Sequence, residues 1–380
     1  MTADRRLGLL LLAVAAGTNI PTVLLLIYQV ELDMSDTALS ALFAAYAVGM
    51  VPALAVAGPA ADRWGRRRVA LPAALLSAAA SLAYVVAQGS EPLLFATRLV
   101  QGAGAGALFS ITSAWLVETA LLAGRTSGAR TAAVTMTGGF AIGPTVAGLI
   151  GEWGPRPLVL PYLLHVAGLL LAVGVAWRVS ETLAPRTAGS ATAVRVPVFA
   201  PGRGRQAALV VAPLAVCVYA FPASALGAVP LLIGFPVAPI ALTGLLAGAC
   251  LSSGALAAPL QARLGPQTAP AAAAAGAVGF ALTALAAASP TLLLLSVPAA
   301  VVLGAGGGLA LASGLSRLPL IASPGRLGTV SASFYAVAYL GFGMPLLLAR
   351  VTLVIDIVWA LVALAVVCAT LAVQQLRARL

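Results

Sequence analysis

Polar positions are sparse along this chain and fall in short clusters. Between the clusters lie apolar stretches at roughly 7–30, 37–58, 69–88, 92–118, 131–151, 157–177, 207–234, 238–261, 268–288, 291–314, 329–349 and 353–373. A helix needs about 20 apolar residues to cross the hydrocarbon core of a bilayer. In lipid, backbone polar groups must be satisfied within the segment, so stretches of this length are expected to be helical. The pattern predicts an all-α membrane protein with about twelve transmembrane helices. The first stretch starts near Leu7 and runs past Tyr28. It is longer than the apolar core of a signal peptide and no small-residue cleavage site follows it, so a retained helix is expected.

The polar clusters alternate in chemistry. Arginine dominates one set: Arg5 and Arg6; Arg63, Arg66, Arg67 and Arg68; Arg125 and Arg130; Arg178, Arg186, Arg195, Arg203 and Arg205; Arg263; Arg317 and Arg326; Arg377 and Arg379. The other set holds Glu31, Asp33, Asp36, Glu91, Glu152 and Asp356, with only Arg156 and Arg350 intruding. Loops rich in positive charge stay on the cytoplasmic side. The expected location is therefore the plasma (inner) membrane, multi-pass, with both termini cytoplasmic and an even number of crossings.

Composition narrows the class. The chain is 61% hydrophobic and only 8% charged, against roughly 25% charged in a soluble domain. The net charge of +11 comes entirely from arginine, since there is no lysine. Its spread over alternate loops fits topology rather than a basic binding face, so no nucleic-acid partner is expected. Cys217, Cys250 and Cys368 are scattered in apolar runs and make no disulfide or metal pattern. No metal and no cofactor is expected. A single histidine and widely separated acids argue against an intramembrane enzyme, which needs clustered acids, metal ligands or an activated nucleophile. No G-x-x-x-x-G-K-[ST] segment exists to bind a nucleotide. What remains is a secondary transporter. Its expected partners are the lipid bilayer, a small-molecule substrate and protons, and the expected assembly is a monomer.

The longest polar break, 178–206, is rich in Pro, Gly, Ala and Arg and has no apolar period. It reads as a cytoplasmic linker between a six-helix bundle over 1–177 and a second over 207–380. An internal repeat supports the division. Gly58-Pro59-Ala60-Ala61-Asp62-Arg63-Trp64-Gly65 is echoed by Ala258-Pro259-Leu260-Gln261-Ala262-Arg263-Leu264-Gly265. Gly102-Ala103-Gly104-Ala105-Gly106 is echoed by Gly304-Ala305-Gly306-Gly307-Gly308, and Gly143-Pro144 by Gly343-Met344-Pro345. Three matches in one order, at nearly one offset, indicate parallel halves, a transporter architecture.

Several segments carry a family likeness. The loop Gly58-Pro59-Ala60-Ala61-Asp62-Arg63-Trp64-Gly65-Arg66-Arg67-Arg68 fits every fixed position of G-x-x-x-D-R-x-G-R-R. In this it resembles the signature between helices two and three of the major facilitator superfamily. Gly65 permits a tight turn, and Asp62 is placed to neutralise the arginines or to cap the next helix. The resemblance implies a gating role for Gly58, Asp62, Arg63, Gly65, Arg66 and Arg67, locking the outward-facing state; the alternative is that the arginines only set topology. Arg98-Leu99-Val100-Gln101-Gly102-Ala103-Gly104 is similar to the family's R-x-x-Q-G-x-G-A. Gly139-Phe140-Ala141-Ile142-Gly143-Pro144, followed by Gly148, resembles its antiporter element with one extra residue before the last Gly. That element implies export; the alternative is uptake of a small metabolite by symport, against which this element alone speaks. Ser180-Glu181-Thr182-Leu183 resembles a P-E-T-L that ends helix six in the family. Glu118 and Arg130 resemble a charge pair common in it, although Glu118 is equally placed to meet the arginines of the Asp62 loop. Degraded copies fill the second half, where Ala262 replaces the acid and Pro266 an arginine. The resemblance implies drug or metabolite export by proton antiport.

The remaining polar residues suggest a cavity. An arginine inside the membrane costs roughly 2.5–3.5 kcal/mol on insertion scales and normally faces a cavity or a partner. Arg98 and Gln101, three residues apart, share a face; the competing reading is an arginine snorkelling to the headgroups. Span one carries Thr18, Thr22 and Gln29 on one stripe, with Asn19 beside it and Pro21 inside. With Arg98 and Gln101 these form one expected wall. Tyr219, Phe221, Phe334, Tyr335 and Tyr339 are candidates for another. His165 is either a packed neutral imidazole or a titrating proton carrier. No acid lies deep in any span, which favours neutral or anionic cargo.

Overall fold

A computed structural model describes residues 2–125, 128–182, 198–323 and 327–378. Most of the expected linker lies outside them, together with Leu183, Arg186, Arg195, Arg326 and Arg379. The helices are α1 (Ala3–Glu31), α2 (Asp36–Trp64), α3 (Arg66–Val86), α4 (Glu91–Leu122), α5 (Gly128–Trp153), α6 (Leu160–Ala176), α7 (Gly204–Ile233), α8 (Pro239–Ala257), α9 (Thr268–Ala288), α10 (Pro290–Ile321), α11 (Leu327–Tyr339, continued to Val351) and α12 (Ile357–Arg377). Ten stretches among the described residues are long and apolar enough to cross a membrane, and α6 adds a shorter apolar helix. One of the ten, Pro239–Ala288, is 50 residues long. At 1.5 Å per residue it would span about 75 Å, more than twice the hydrocarbon thickness. It is folded back at Gly265 (φ +50°), the first residue of a short 3₁₀ turn, into α8 and α9. The expected twelve-helix, all-α membrane fold is therefore present.

Local chemistry explains several boundaries. Ser35 caps α2, its Oγ accepting from the Ala38 N–H at 3.2 Å, and Asp356 caps α12, its Oδ1 accepting from the Val358 N–H at 2.8 Å. The segment Gly58–Trp64, read from sequence as loop, instead completes α2. Only Gly65 stands between α2 and α3. Its φ of +101° lies in a region that a side chain disfavours, so one glycine makes the whole turn. At 29 residues, α2 is about 44 Å long. It outruns the bilayer core, which places the charged motif beyond the hydrocarbon. Span one also departs from expectation. It is helical over Ala3–Thr18, Ile20–Val23 and Leu25–Glu31, with breaks at Asn19 and Leu24.

Contacts divide the chain into two compact units: Met1–Ala191 with Ala238–Gly248, and Thr192–Val237 with Ala249–Leu380. Each is held by close helix approach through small residues, as expected where lipid supplies no hydrophobic drive between helices. In the first unit, a Cβ on Gly102 would strike the Tyr46 carbonyl of α2, one on Gly106 would strike Met50, and one on Gly104 would crowd Ala73 and Ser77 of α3. In the second, Gly304 and Gly308 meet the Cys250 and Gly254 carbonyls of α8, while Gly306 lies on Ala272 and Ala275 of α9. The repeat seen in sequence is thus a repeat of packing, glycine for glycine.

These contacts give a test. Gly102→Ala drives a methyl into a backbone carbonyl that cannot rotate away. It should lower the midpoint of thermal unfolding in detergent by several degrees. Gly58→Ala, where the added carbon meets nothing within 4 Å, should leave it within a degree.

Candidate functional site

The break in α1 sets the site. Pro21 has no N–H, so the carbonyl of Gly17, four residues earlier, loses its helical donor. The next carbonyl, Thr18, also lacks one, because the chain turns at Asn19. Buried carbonyls left unpaired cost about 1–3 kcal/mol each, and lipid offers no water to repair them. Two side chains of α4 do so instead. Gln101 Nε2 donates to the Gly17 carbonyl at 2.9 Å, and Arg98 Nη1 donates to the Thr18 carbonyl at 3.0 Å. The same Nη1 reaches Gln101 Oε1 at 2.8 Å, and Nη2 reaches Thr22 Oγ1 at 3.1 Å. The guanidinium lies 4.9 Å over the Tyr46 ring.

Arg98 is 1% exposed and turns inward, so the snorkelling alternative is excluded. Among the described residues its polar partners are neutral, and no carboxylate is among them. A buried cation without a counter-ion is tolerated only where hydrogen bonds and aromatic faces replace its hydration. Tyrosines complete the shell. Tyr84 OH donates to Gln101 Oε1 at 3.3 Å and its ring stacks on Tyr162 at 4.8 Å, while Tyr162 OH and Tyr28 OH lie 2.8 Å apart. Sequence reasoning missed Tyr28, Tyr46, Tyr84 and Tyr162, which come from four different helices. The link from Gln101 to Gly17 was available in principle, because Pro21 marks the orphaned carbonyl. Asn19 donates to Thr18 Oγ1 at 3.2 Å, and Gln29 donates to Asp36 Oδ1 at 2.7 Å rather than joining the site.

His165 is a packing residue in its geometry. Nε2 lies 3.0 Å from the Ala13 carbonyl, which only accepts, so Nε2 carries the proton. Nδ1 then accepts from Ser81 Oγ at 2.7 Å. The imidazole joins α1, α3 and α6 directly beside Gly17.

A second cluster gathers at the Gly65 turn. Arg66 pairs with Asp62 Oδ1 at 2.8 Å and with Glu118 Oε1 at 2.9 Å. Thr182 Oγ1 donates to Glu118 Oε2 at 2.6 Å. The expected pairing of Glu118 with Arg130 is therefore corrected: Glu118 meets Arg66, and Arg130 is exposed and forms no ion pair among the described residues. The α3 cap is also reassigned. Asp62 neutralises Arg66, while Glu181 accepts from the N–H groups of Arg66 and Arg67 at 2.8 and 3.0 Å. A carboxylate there satisfies orphan donors and complements the helix dipole. Arg67 lies 4.8 Å over Trp177, Arg63 lies over Trp64, and Gly58 faces open space.

The α5 glycines serve two neighbours. Gly139 and Gly143 press on Leu12, Ala15 and Ala16 of α1, whereas Gly148 and the Pro144 carbonyl meet Gly244 in the first turns of α8. Glu152 Oε2 caps those turns, accepting from the Ile240 and Ala241 N–H groups at 2.8 and 3.2 Å. In the second unit Tyr219, Tyr339 and Phe342 form a stack, with Tyr219 OH 3.3 Å from Tyr339 OH. Phe221 and Phe334, expected to line a wall, are core residues instead. Phe221 packs edge-on against Phe280 and beneath Gly276, and Phe334 packs against Gly314. Tyr335 meets Phe334 edge-on.

A sequence profile described as Major Facilitator Superfamily matches residues 7–346. The chain belongs to the major facilitator superfamily. Among curated members, the multidrug resistance protein MdtL of Escherichia coli O139:H28 is 37% identical over 110 residues, 29% of this chain and 28% of that protein. The match thus spans little more than a quarter of the relative. Solved major facilitator structures share the fold throughout. The nucleoside transporter NupG superposes with a TM-score of 0.75 at 16% identity, covering all of both chains. The peptide transporter POT in complex with sulfate gives 0.78 at 15% identity, covering 98% of this chain and 93% of that one. This major facilitator protein is thus a multi-pass membrane transporter and not an enzyme.

The break and its repair can be separated by a double-mutant cycle. Gln101→Ala alone leaves the Gly17 carbonyl unpaired and should destabilise the detergent-solubilised protein by about 1–3 kcal/mol. Pro21→Ala returns an N–H to that carbonyl, so in its background the cost of Gln101→Ala should fall by at least about 0.5 kcal/mol. Strict additivity in thermal unfolding would mean that the two residues do not share the carbonyl.

Proposed function

We propose that this transporter drives proton-coupled efflux of small amphipathic molecules by alternating access, working as a monomer in the inner membrane with both termini cytoplasmic. In this reading two six-helix halves, 1–177 and 207–380, are joined by the cytoplasmic segment 178–206. The observation that carries the cargo class is the buried, acid-free environment of Arg98. Every one of the ten carboxylates lies at or near a helix end or in a connection. Among the described residues, the one charge deep in the first unit is cationic, which suits neutral or anionic cargo able to accept a hydrogen bond. The partial likeness to the multidrug protein MdtL and the Gly139–Gly148 element of α5 support export over uptake.

Each motif then has a task. Asp62, Arg66, Glu118, Glu181 and the Gly65 turn hold the inner end of the first unit in one arrangement and release it in the other. Gly58, Arg63 and Arg67 belong to the same gate. Arg98, Gln101, Thr22 and Asn19 tie the shape of α1 to the occupant of the cavity. Gly102, Gly139, Gly143, Pro144 and Gly148 set the close helix surfaces that limit leakage. His165, with both ring nitrogens bonded, holds α1 in place and does not carry the proton.

The test uses purified protein in vesicles of known orientation. A proton gradient directed against cargo movement should drive counter-transport; co-movement would identify an importer. Arg98→Ala should lower transport at least tenfold without loss of inserted protein. Gly65→Ala adds a carbon that meets the Glu181 carboxylate at a positive-φ position and should act similarly. His165→Gln, which can keep one donor and one acceptor, should retain the pH profile of wild type. A flattened profile would return the proton to His165.

A further inference from the structure

On the outer face of the first unit, the end of α6 and the start of α1 enclose a groove of about 810 Å³ lined by Arg6, Leu170, Leu171, Gly174, Val175 and Arg178. From it we infer a binding site for an anionic glycerophospholipid, with the phosphodiester between Arg6 and Arg178 and an acyl chain along α6. The inference is independent of cargo and of transport direction.

Charge is the first ground. Arg6 Nη1 donates to the backbone carbonyl of Arg178 at 3.4 Å, and both arginines line the groove, so two cationic residues serve one end of it. Two cationic residues on one groove call for an anion, yet among the described residues the carboxylates at this end of the unit are committed elsewhere. Asp4 pairs with Arg125 at 2.9 Å. Asp62 and Glu118 pair with Arg66, and Glu181 holds the first N–H groups of α3. Arginine presents a planar fork of donors suited to phosphate oxygens.

Shape is the second. Residues 167, 170, 171, 174 and 178 recur at helical spacing and form one stripe down α6. From 167 to 175 the apolar stripe runs about 12 Å, most of one half of the roughly 30 Å hydrocarbon core. Its apolar length therefore fits within one leaflet, with Arg178 beyond its end. Leu170 and Leu171 are exposed, and a Cβ at Gly174 would meet nothing within 4 Å, so the floor is open. Inorganic phosphate would use only the arginines and leave the stripe bare. A zwitterionic lipid brings its own cation, which the two arginines disfavour. Basic pockets between helices at the membrane boundary recognise anionic headgroups in this way.

The test is native mass spectrometry of the full chain released from detergent with added phosphatidylglycerol or phosphatidylcholine, alongside thermal unfolding. Wild type should retain phosphatidylglycerol at least fivefold better than phosphatidylcholine. The double variant Arg6→Ala/Arg178→Ala should lose that preference. Gly174→Leu extends into the groove from a Cβ that meets nothing within 4 Å and should lower retention while unfolding at the wild-type temperature, so it separates binding from folding. Equal retention of the two lipids, or wild-type retention by both variants, would overturn the site. So would competition by millimolar inorganic phosphate, which would make it a soluble-anion site. None of these readouts involves transport, so failure of the proposed export leaves the inference standing, and the converse.

Discussion

The structure of the first unit turns on a shortage of hydrogen-bond donors. Pro21 withdraws one N–H from the middle of a membrane helix, the chain turns at Asn19, and the Gly17 and Thr18 carbonyls are left in a place without water. The remedy comes from another helix, through Gln101 and Arg98. Once these side chains serve the backbone of α1, other choices follow. Tyr84 must reach Gln101, Tyr46 must face the guanidinium, and His165 must hold Ala13 one turn away. The α5 glycines then let a further helix approach the same stretch of α1. An interrupted membrane helix with side-chain repair is stable, yet its hydrogen bonds are exchangeable, which suits an element that changes shape.

Charge is handled differently at the two depths. In the bilayer interior of the first unit, the Arg98 guanidinium is the one charge among the described residues, and neutral dipoles and a ring compensate it. At the boundary, Asp62, Arg66, Glu118, Glu181 and Thr182 form a connected set in which Glu118 and Glu181 each have more than one donor and Asp62 pairs with Arg66. Exposed ion pairs taken singly contribute little. Here a helix terminus, two carboxylates and a one-residue turn share Arg66, so breaking one contact disturbs the others.

Much of the fold was legible because lipid makes the apolar pattern nearly decisive. The apolar stretches and the glycine repeat survive in the structure as helices and as close helix contacts. The site was legible only in part. Arg98, Gln101 and Thr22 were found because polar groups at membrane depth stand out against an apolar background. The tyrosines were not, since a tyrosine in an apolar run reads equally well as packing, and four of them meet only through tertiary contact. Glu118 was given two possible partners, and sequence distance could not choose between Arg130, twelve positions on, and Arg66, 52 positions back. Glu181 was seen as a family echo, not as the cap of a helix that begins 115 residues earlier.

The interrupted first helix also has a consequence for biogenesis. The Thr18 carbonyl and its donor Arg98 are 80 residues apart in the chain. At a synthesis rate of about 5–20 residues per second, several seconds separate their emergence from the ribosome. During that interval the opened turn has no partner within the protein and depends on water or on the insertion machinery. The nascent α1 therefore does not acquire its final shape on entering the membrane; it is completed only when α4 arrives beside it.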